Sequence, residues 1–413
     1  MVLFWGVIKI KFISNPKSLI SGLQTETILN LGNHGFADSF FPKEDFNMAE
    51  DSVPLVCQLD KETGLVQLLN FTEPKERYSN VDYSYTSSNS RTSRAHWKEF
   101  AQSLNNRLHS KGSNVLEIGS NDGFLLGLLK SHGFKTLGVD ASKFTSKLAS
   151  ERGITTLEGI FGESEDLTIE IMHFSNSFDI IIANNVLNHS NNPLKFVESV
   201  KKLMSSDGIF VFEVPYWLDT INSLHFDQIY HEHVTYFTAK SARALLRMAG
   251  LVVVDIQIVN YHGGSLRITA SHLGFRESKL MEHMIEIENR EGLFTVQRYE
   301  KYFQDICEKR DKFMKQVLVA KESGKTLFGI GAAAKANTLL TFYNLNNTYL
   351  DFILDASIFK QGKITPVTKI PIYEDSHISN MVNLYGIILA WNISEEVKRN
   401  ILSYNAGVEF MTL

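Results

Sequence analysis

From residue 113 to residue 215 the chain alternates apolar runs with amphipathic ones, and this alternation most restricts the fold. NVLEIG reads as a buried strand, and NDGFLLGLLKSHG as a helix stopped by Gly133. KTLGVD is a second strand, and SKFTSKLASERG a helix ending at Gly153. FDIIIANNV, the helical NPLKFVESVKKLMSSDG and the strand IFVFEVP follow. Strands joined through helices by short connections lie parallel in one sheet with helices on both faces. The expected class is α/β, with a central doubly wound Rossmann-like sheet that LVVVDIQIV and SLRITASHL extend.

The flanks have a different texture. Residues 1–90 hold short apolar pieces such as Leu65 to Phe71 among Asn, Asp, Gly and Ser turns, which predicts a small first domain. The central domain is placed at 91–275, entered through a helix with apolar Trp97, Phe100, Ala101 and Leu104. Residues 277–322 predict two polar helices. KTLFGIGAAAKANTLL, DFILDAS and YGIILAW then repeat the strand and helix pattern, so 276–413 is placed as a second, smaller Rossmann-like unit with a helical connector.

A chain of 413 residues suits several such units. Its net charge of -5 gives no basic footprint for nucleic acid, and no apolar run reaches the length of a membrane span. Two cysteines, Cys57 and Cys307, argue against a disulfide framework and fit a reducing cytoplasm. The start, MVLFWGVIKIKFIS, is broken by Lys9 and Lys11 and lacks a small-residue cleavage site, so it reads as a first strand or an extension.

VLEIGSNDGFLL carries the strongest chemical signal. Glu117, Gly119 and Gly123 sit where a strand meets a helix, and glycines there let a nucleotide approach the backbone. The spacing is not that of a pyrophosphate loop, and Ser120, Asn121 and Asp122 add a polar, acidic turn that would repel one. A ligand with ammonium and sulfonium charges suits it better, which means S-adenosylmethionine. Asp140 ends the next strand, placed to accept hydrogen bonds from a ribose. The third strand brings Asn184, Asn185, Asn188 and His189 to the same edge, to orient a ligand or to cap the loop.

After the fourth strand comes YHEHVTYF, residues 230–237. His231 and His233 are two apart with Thr235 where a zincin helix needs a second histidine, so zinc is not expected. Proton transfer and ordinary hydrogen-bonded histidines both remain open.

Several longer segments then agree. ILNLG near 28, TGLVQLL near 63, DYSYTSS at 82, VLEIGSNDGFLL, FDQIYHEHVTYF, GGSLR at 263, GIGAAAKANTLL and LDASIFKQGKITP resemble the sugar-nucleotide C-methyltransferase family. Its members methylate carbon 3 of TDP-4-keto-deoxysugars, and the resemblance runs from about Leu19 to the last strands. It implies a zinc-binding first domain, a methyltransferase domain, a Rossmann-like last domain and a monomer. It also implies His233 as general base with Glu232 assisting, His189 nearby, and Tyr83 and Tyr85 shaping the substrate pocket. Tyr230 and His231 become expected substrate contacts. The family's two C-x-x-C pairs are absent: the second falls on Asp60 and Thr63, and Cys57 stands alone, so no metal is expected.

In the last unit, GIGAAAK lacks the phosphate-loop pattern, although an NAD site with Asp355 as its acid can be drawn. The resemblance favours a contact with the substrate's nucleotide, through Lys335, Lys360, Lys363 and Arg267, the last alternatively in an ion pair. The expected activity is C-methylation of a nucleotide-linked 4-keto-deoxysugar, TDP-linked by resemblance. The alternatives are an O- or N-methyltransferase on a nucleotide sugar and an NAD-binding oxidoreductase.

Overall fold

The computed structural model describes residues 11–47, 50, 52–79, 86–108 and 112–411. Its centre is a seven-stranded sheet in the order Leu251–Val259, Ser265–His272, Met204–Pro215, Phe178–Asn184, Asn114–Ile118, Lys135–Asp140, Thr156–Glu158. The last five in that order are parallel, and the two C-terminal strands close the edge as an antiparallel pair. Alternate side chains explain the continuous apolar runs. Leu116, Ile118, Ile181 and Ala183 enter one core, while Val115, Ile180, Ile182 and Val211 enter the other with Trp97, Phe100 and Leu104. Helices Arg91–Leu108 and Phe124–Ser131 cover this second face.

One boundary differs from the sequence reading. The helix from Pro193 ends at Leu203, and SSDG belongs to the strand Met204–Pro215.

A four-stranded sheet lies N-terminal to this, ordered Thr235–Tyr236, Val66–Leu68, Val53–Leu59, Glu26–His34. Its first strand comes from the histidine-bearing segment: Thr235 pairs with Gln67 and Tyr236 with Val66, antiparallel. Ile28, Leu29, Leu31, Leu55, Leu59 and Leu65 pack its core, in which Cys57 is buried. At the positions where the family places its second cysteine pair, Asp60 accepts hydrogen bonds from Ser21 Oγ and Thr63 Oγ1, both at 2.7 Å. Among the described residues no three His, Cys, Asp or Glu side chains gather as metal ligands. Of the apolar start only Phe12–Ser14 is a described strand.

Helices Lys279–Arg290 and Val296–Glu322 lead to a five-stranded, all-parallel sheet ordered Ile372–Tyr373, Phe352–Leu354, Thr326–Ile330, Leu384–Ile388, Glu409–Met411. It is tied to the histidine segment: Thr338 Oγ1 donates to the Ile229 carbonyl at 2.8 Å, and Trp391 Nε1 to Asp227 Oδ2 at 2.5 Å. No described helix is long and apolar enough to cross a membrane.

Candidate functional site

The carboxyl ends of the central strands open into a cleft lined by their terminal residues and the turns that follow. The strand Asn114–Ile118 turns sharply at Gly119, whose φ is 71°, a region L side chains avoid. A Cβ there would also overlap Val186 Cγ2. Gly119→Ala should therefore lose about 1–3 kcal/mol of stability. Calorimetric titration with S-adenosylhomocysteine should show at least tenfold weaker binding, and unchanged affinity would mean that the turn does not shape the ligand.

Several cleft groups are buried without a partner. Glu117 Oε2, Ser120 Oγ and both amide atoms of Asn184 find no hydrogen bond, although their residues line the cleft. Such atoms are normally satisfied, so they mark where a polar ligand docks. Burial first, then Asp122 and Asp140, push the Glu117 carboxyl well above the usual carboxylate range. Asp140 is held at the rim: Ser142 N and Thr145 Oγ1 donate to Oδ1, and Asn121 N donates to Oδ2 at 2.8 Å. It keeps lone pairs for a ribose. The donor set suits S-adenosylmethionine, with acids for its cationic end and amides and hydroxyls for its nucleoside. Asn121 and Asn185 line the cleft as well, both at positive φ.

Two residues of the turn do other work. Asp122 is fully buried away from the cleft, where it accepts from Ser87 Oγ at 2.6 Å and from Ser88, and pairs with Arg152 at 3.1 Å. It anchors the segment after residue 85 and does not line the cleft. Gly123 lets the following helix approach Ala149 and Ile154.

Beyond the cleft lies the histidine cluster. His189, on the turn Leu187–His189, lines the cleft, and its ring centroid is 4.8 Å from that of His233. His233 Nδ1 donates to the Gln228 carbonyl at 2.9 Å, which leaves Nε2 as an acceptor for the Tyr230 hydroxyl at 2.6 Å. Burial holds His233 neutral, its pKa lowered to about 3. His189 is pushed well below its ordinary value by burial and then by His233.

The sequence expectations need three changes here. Glu232, expected to assist His233, makes no hydrogen bond to its ring; the Gln228 carbonyl sets the tautomer. Glu232 Oε1 accepts the Asp38 amide at 3.0 Å, Oε2 has no partner, and burial raises the carboxyl to about 8. Tyr230 is a partner of His233 before it is a substrate contact. His231 is fully buried with its ring 5.0 Å from Phe12 and does not line the cleft.

The basic residues divide. Lys335 joins the cluster: its ammonium sits 3.8 Å above the Trp391 ring and donates to Asn392 at 2.6 Å, and burial lowers it to about 8. Lys360 and Lys363 lie within electrostatic reach of Asp38, and Lys360 donates to the Ala332 carbonyl at 2.7 Å. Arg267 is taken by an ion pair. Its Nε and Nη2 reach Glu213 Oε1 at 2.6 and 2.5 Å, so it offers no free fork to a substrate. Asp355 is occupied too, accepting Ala332 N at 2.7 Å from the turn after the neighbouring strand and Ser357 N at 2.8 Å within its own loop. Tyr83 and Tyr85 lie outside the described residues.

The sequence reading missed Tyr78, Trp97, Phe161 and His262, all of which line the cleft. His262 stood beside the quoted GGSLR with positive φ, and burial lowers it to about 3. A glycine pair after a histidine was a usable signal. Phe161 follows a strand of three residues and gave none.

Comparison with known proteins agrees with this geometry. Residues 92–256 match a methyltransferase domain, and residues 260–413 match the C-methyltransferase C-terminal domain. The C-methyltransferase NovU of Streptomyces niveus is 27% identical over 376 residues, covering 90% of this chain and 89% of NovU. Among solved structures, magnesium protoporphyrin IX methyltransferase of Synechocystis PCC 6803 with bound SAH has a TM-score of 0.36 at 13% identity, covering 43% of this chain and 83% of that one. The PH0226 protein of Pyrococcus horikoshii OT3 has a TM-score of 0.37 at 16% identity, covering 48% and 98%. These two likenesses are too partial to bear on chemistry. Its two domain matches and its NovU relative make the chain an S-adenosylmethionine-dependent methyltransferase, similar over nearly its whole length to a C-methyltransferase.

Proposed function

We propose that the chain methylates a ring carbon beside the keto group of a nucleotide-linked 4-keto-deoxysugar, at carbon 3, with His233 as the base. The observation that carries this reading is the neutral His233 ring, 4.8 Å from a histidine that lines the cleft. Methylation at carbon needs a base, because a C–H proton must first be removed. A neighbouring carbonyl makes that proton acidic, and neutral imidazole is suited to take it.

S-adenosylmethionine supplies the electrophilic methyl group. The chain's residues do the rest. Glu117, Ser120, Asn184 and Asp140 hold the donor at the sheet edge. The Gln228 carbonyl fixes His233 with its lone pair on Nε2, and the Tyr230 hydroxyl covers that lone pair until substrate displaces it or works through it. The buried cluster excludes water that would compete for the carbanion. Lys335 and Lys363 supply charge for a diphosphate from the last sheet's side, and the three-part organisation at 1–90, 91–275 and 276–413 brings the partners together.

The test incubates the protein with the methyl donor and a panel of TDP- and GDP-linked 4-keto sugars. A product one methylene heavier is expected, with the new carbon located by NMR. In heavy water, with S-adenosylhomocysteine replacing the donor, the wild type should wash deuterium into C3. Methylation without any exchange beside the keto group would point to an oxygen or nitrogen acceptor and end this reading.

A further inference from the structure

Arg77 sits on the short helix Pro74–Ser79, within electrostatic reach of His189 and Glu232. Its side chain is 3% exposed. Nη2 donates to Asn191 Oδ1 at 2.6 Å, and Asn191 is itself tied to the Thr72 carbonyl at 3.0 Å. Nε and Nη1 are buried with no partner. Among the described residues no carboxylate lies within ion-pair distance, although Glu232, Glu163 and Glu73 are within electrostatic reach. Pro74 and Tyr78 on the same helix line the cleft, as do Glu163 and His189.

A buried guanidinium with unused donors is expensive unless something arrives to use them. What arrives should be an oxygen that is negative, or becomes so. Electrostatic reach to His189 and Glu232, which neighbour His233, favours the reacting sugar over its distant nucleotide as the source of that oxygen.

We propose that Arg77 is a catalytic residue that donates a hydrogen bond to the substrate's carbonyl oxygen as it becomes an enolate. The inference rests on the carbon-methylation reading above. In the step, the C3–H bond breaks and its proton goes to His233. The bonding pair forms C3=C4, and the C4=O π pair moves onto oxygen, where Arg77 meets it. No oxidant or further reactant is required. A fixed donor aimed at developing charge in a dry site is among the strongest contributions a protein makes to such a barrier.

The experiment compares wild type, Arg77→Met and Arg77→Lys on TDP-4-keto-6-deoxyglucose. It follows C3 deuterium exchange with S-adenosylhomocysteine present, methyl transfer with the donor present, and S-adenosylhomocysteine affinity by calorimetry. Arg77→Met should slow exchange and methyl transfer in the same proportion, on the order of 10²–10³-fold, at every pH. The affinity should stay within threefold, and Arg77→Lys should recover part of the rate. Exchange within threefold of wild type in Arg77→Met would overturn the assignment. So would a rate loss matched by lost affinity or a collapsed melting transition, which marks a packing role. A shifted pH profile with an unchanged plateau would make Arg77 only the charge partner of Glu232. Wild-type protein that methylates without exchange would sink the carbon reading itself, a result seen before any variant is made.

Discussion

His233→Ala should abolish methyl transfer and C3 exchange together, by about 10²–10⁴-fold, while S-adenosylhomocysteine still binds. The size follows from the hydrogen bonds. Nδ1–H is committed to the Gln228 carbonyl, so the ring presents one lone pair in one direction. Burial, the main cause of its lowered pKa, keeps the ring neutral at any working pH, so the base is always in its acceptor form. The same burial makes the protonated ring costly, which places weight on the groups that stabilise the developing negative charge. Mass spectrometry of the product and NMR of the exchanged substrate check the prediction. If the variant keeps turnover, the proton goes elsewhere, and His189 is the nearest candidate.

The second large effect is on stability. Glu213 is fully buried; it takes the Arg267 fork on one oxygen and His96 Nε2 on the other at 2.8 Å. Removing one member of a buried pair strands the other, so Glu213→Ala should cost about 3–5 kcal/mol in denaturant unfolding. Arg267 also lies 4.2 Å over the Phe100 ring, which an apolar side chain can replace. The double variant Glu213→Leu, Arg267→Met should therefore recover most of the loss, and the cycle measures the coupling. Arg267→Met alone should lower stability without a large change in KM. A selective rise in KM at intact stability would restore Arg267 as a substrate ligand.

These residues also show where sequence reasoning stopped. The parallel strands were legible because burial on both faces leaves an uninterrupted apolar run, as in FDIIIAN. The glycine turn was legible because positive φ and close approach both demand glycine at 119. The start of Met204–Pro215 was not, since Ser206 and Asp207 are exposed there and look like a helix terminus. Asp122 was placed beside the donor because its partners Ser87 and Arg152 lie some thirty residues away on either side. The pairing of Arg267 with Glu213 spans 54 residues, across neighbouring strands. Nothing in the polar hexapeptide PKERYS marks Arg77 as buried. Local patterns reveal elements, whereas the partners of a charge depend on register between distant strands.

Thr235 and Tyr236 complete the edge of the first sheet, and Trp217 N donates to the Phe237 carbonyl at 3.0 Å on the central side. The segment that carries His233 is thus tied to both the first sheet and the central unit. Evolution cannot trade the opening module among relatives as an independent cassette. A foreign version would have to offer the same docking rail to the 235–236 strand, so the two are inherited as a matched set, and divergence in one should be followed by divergence in the other.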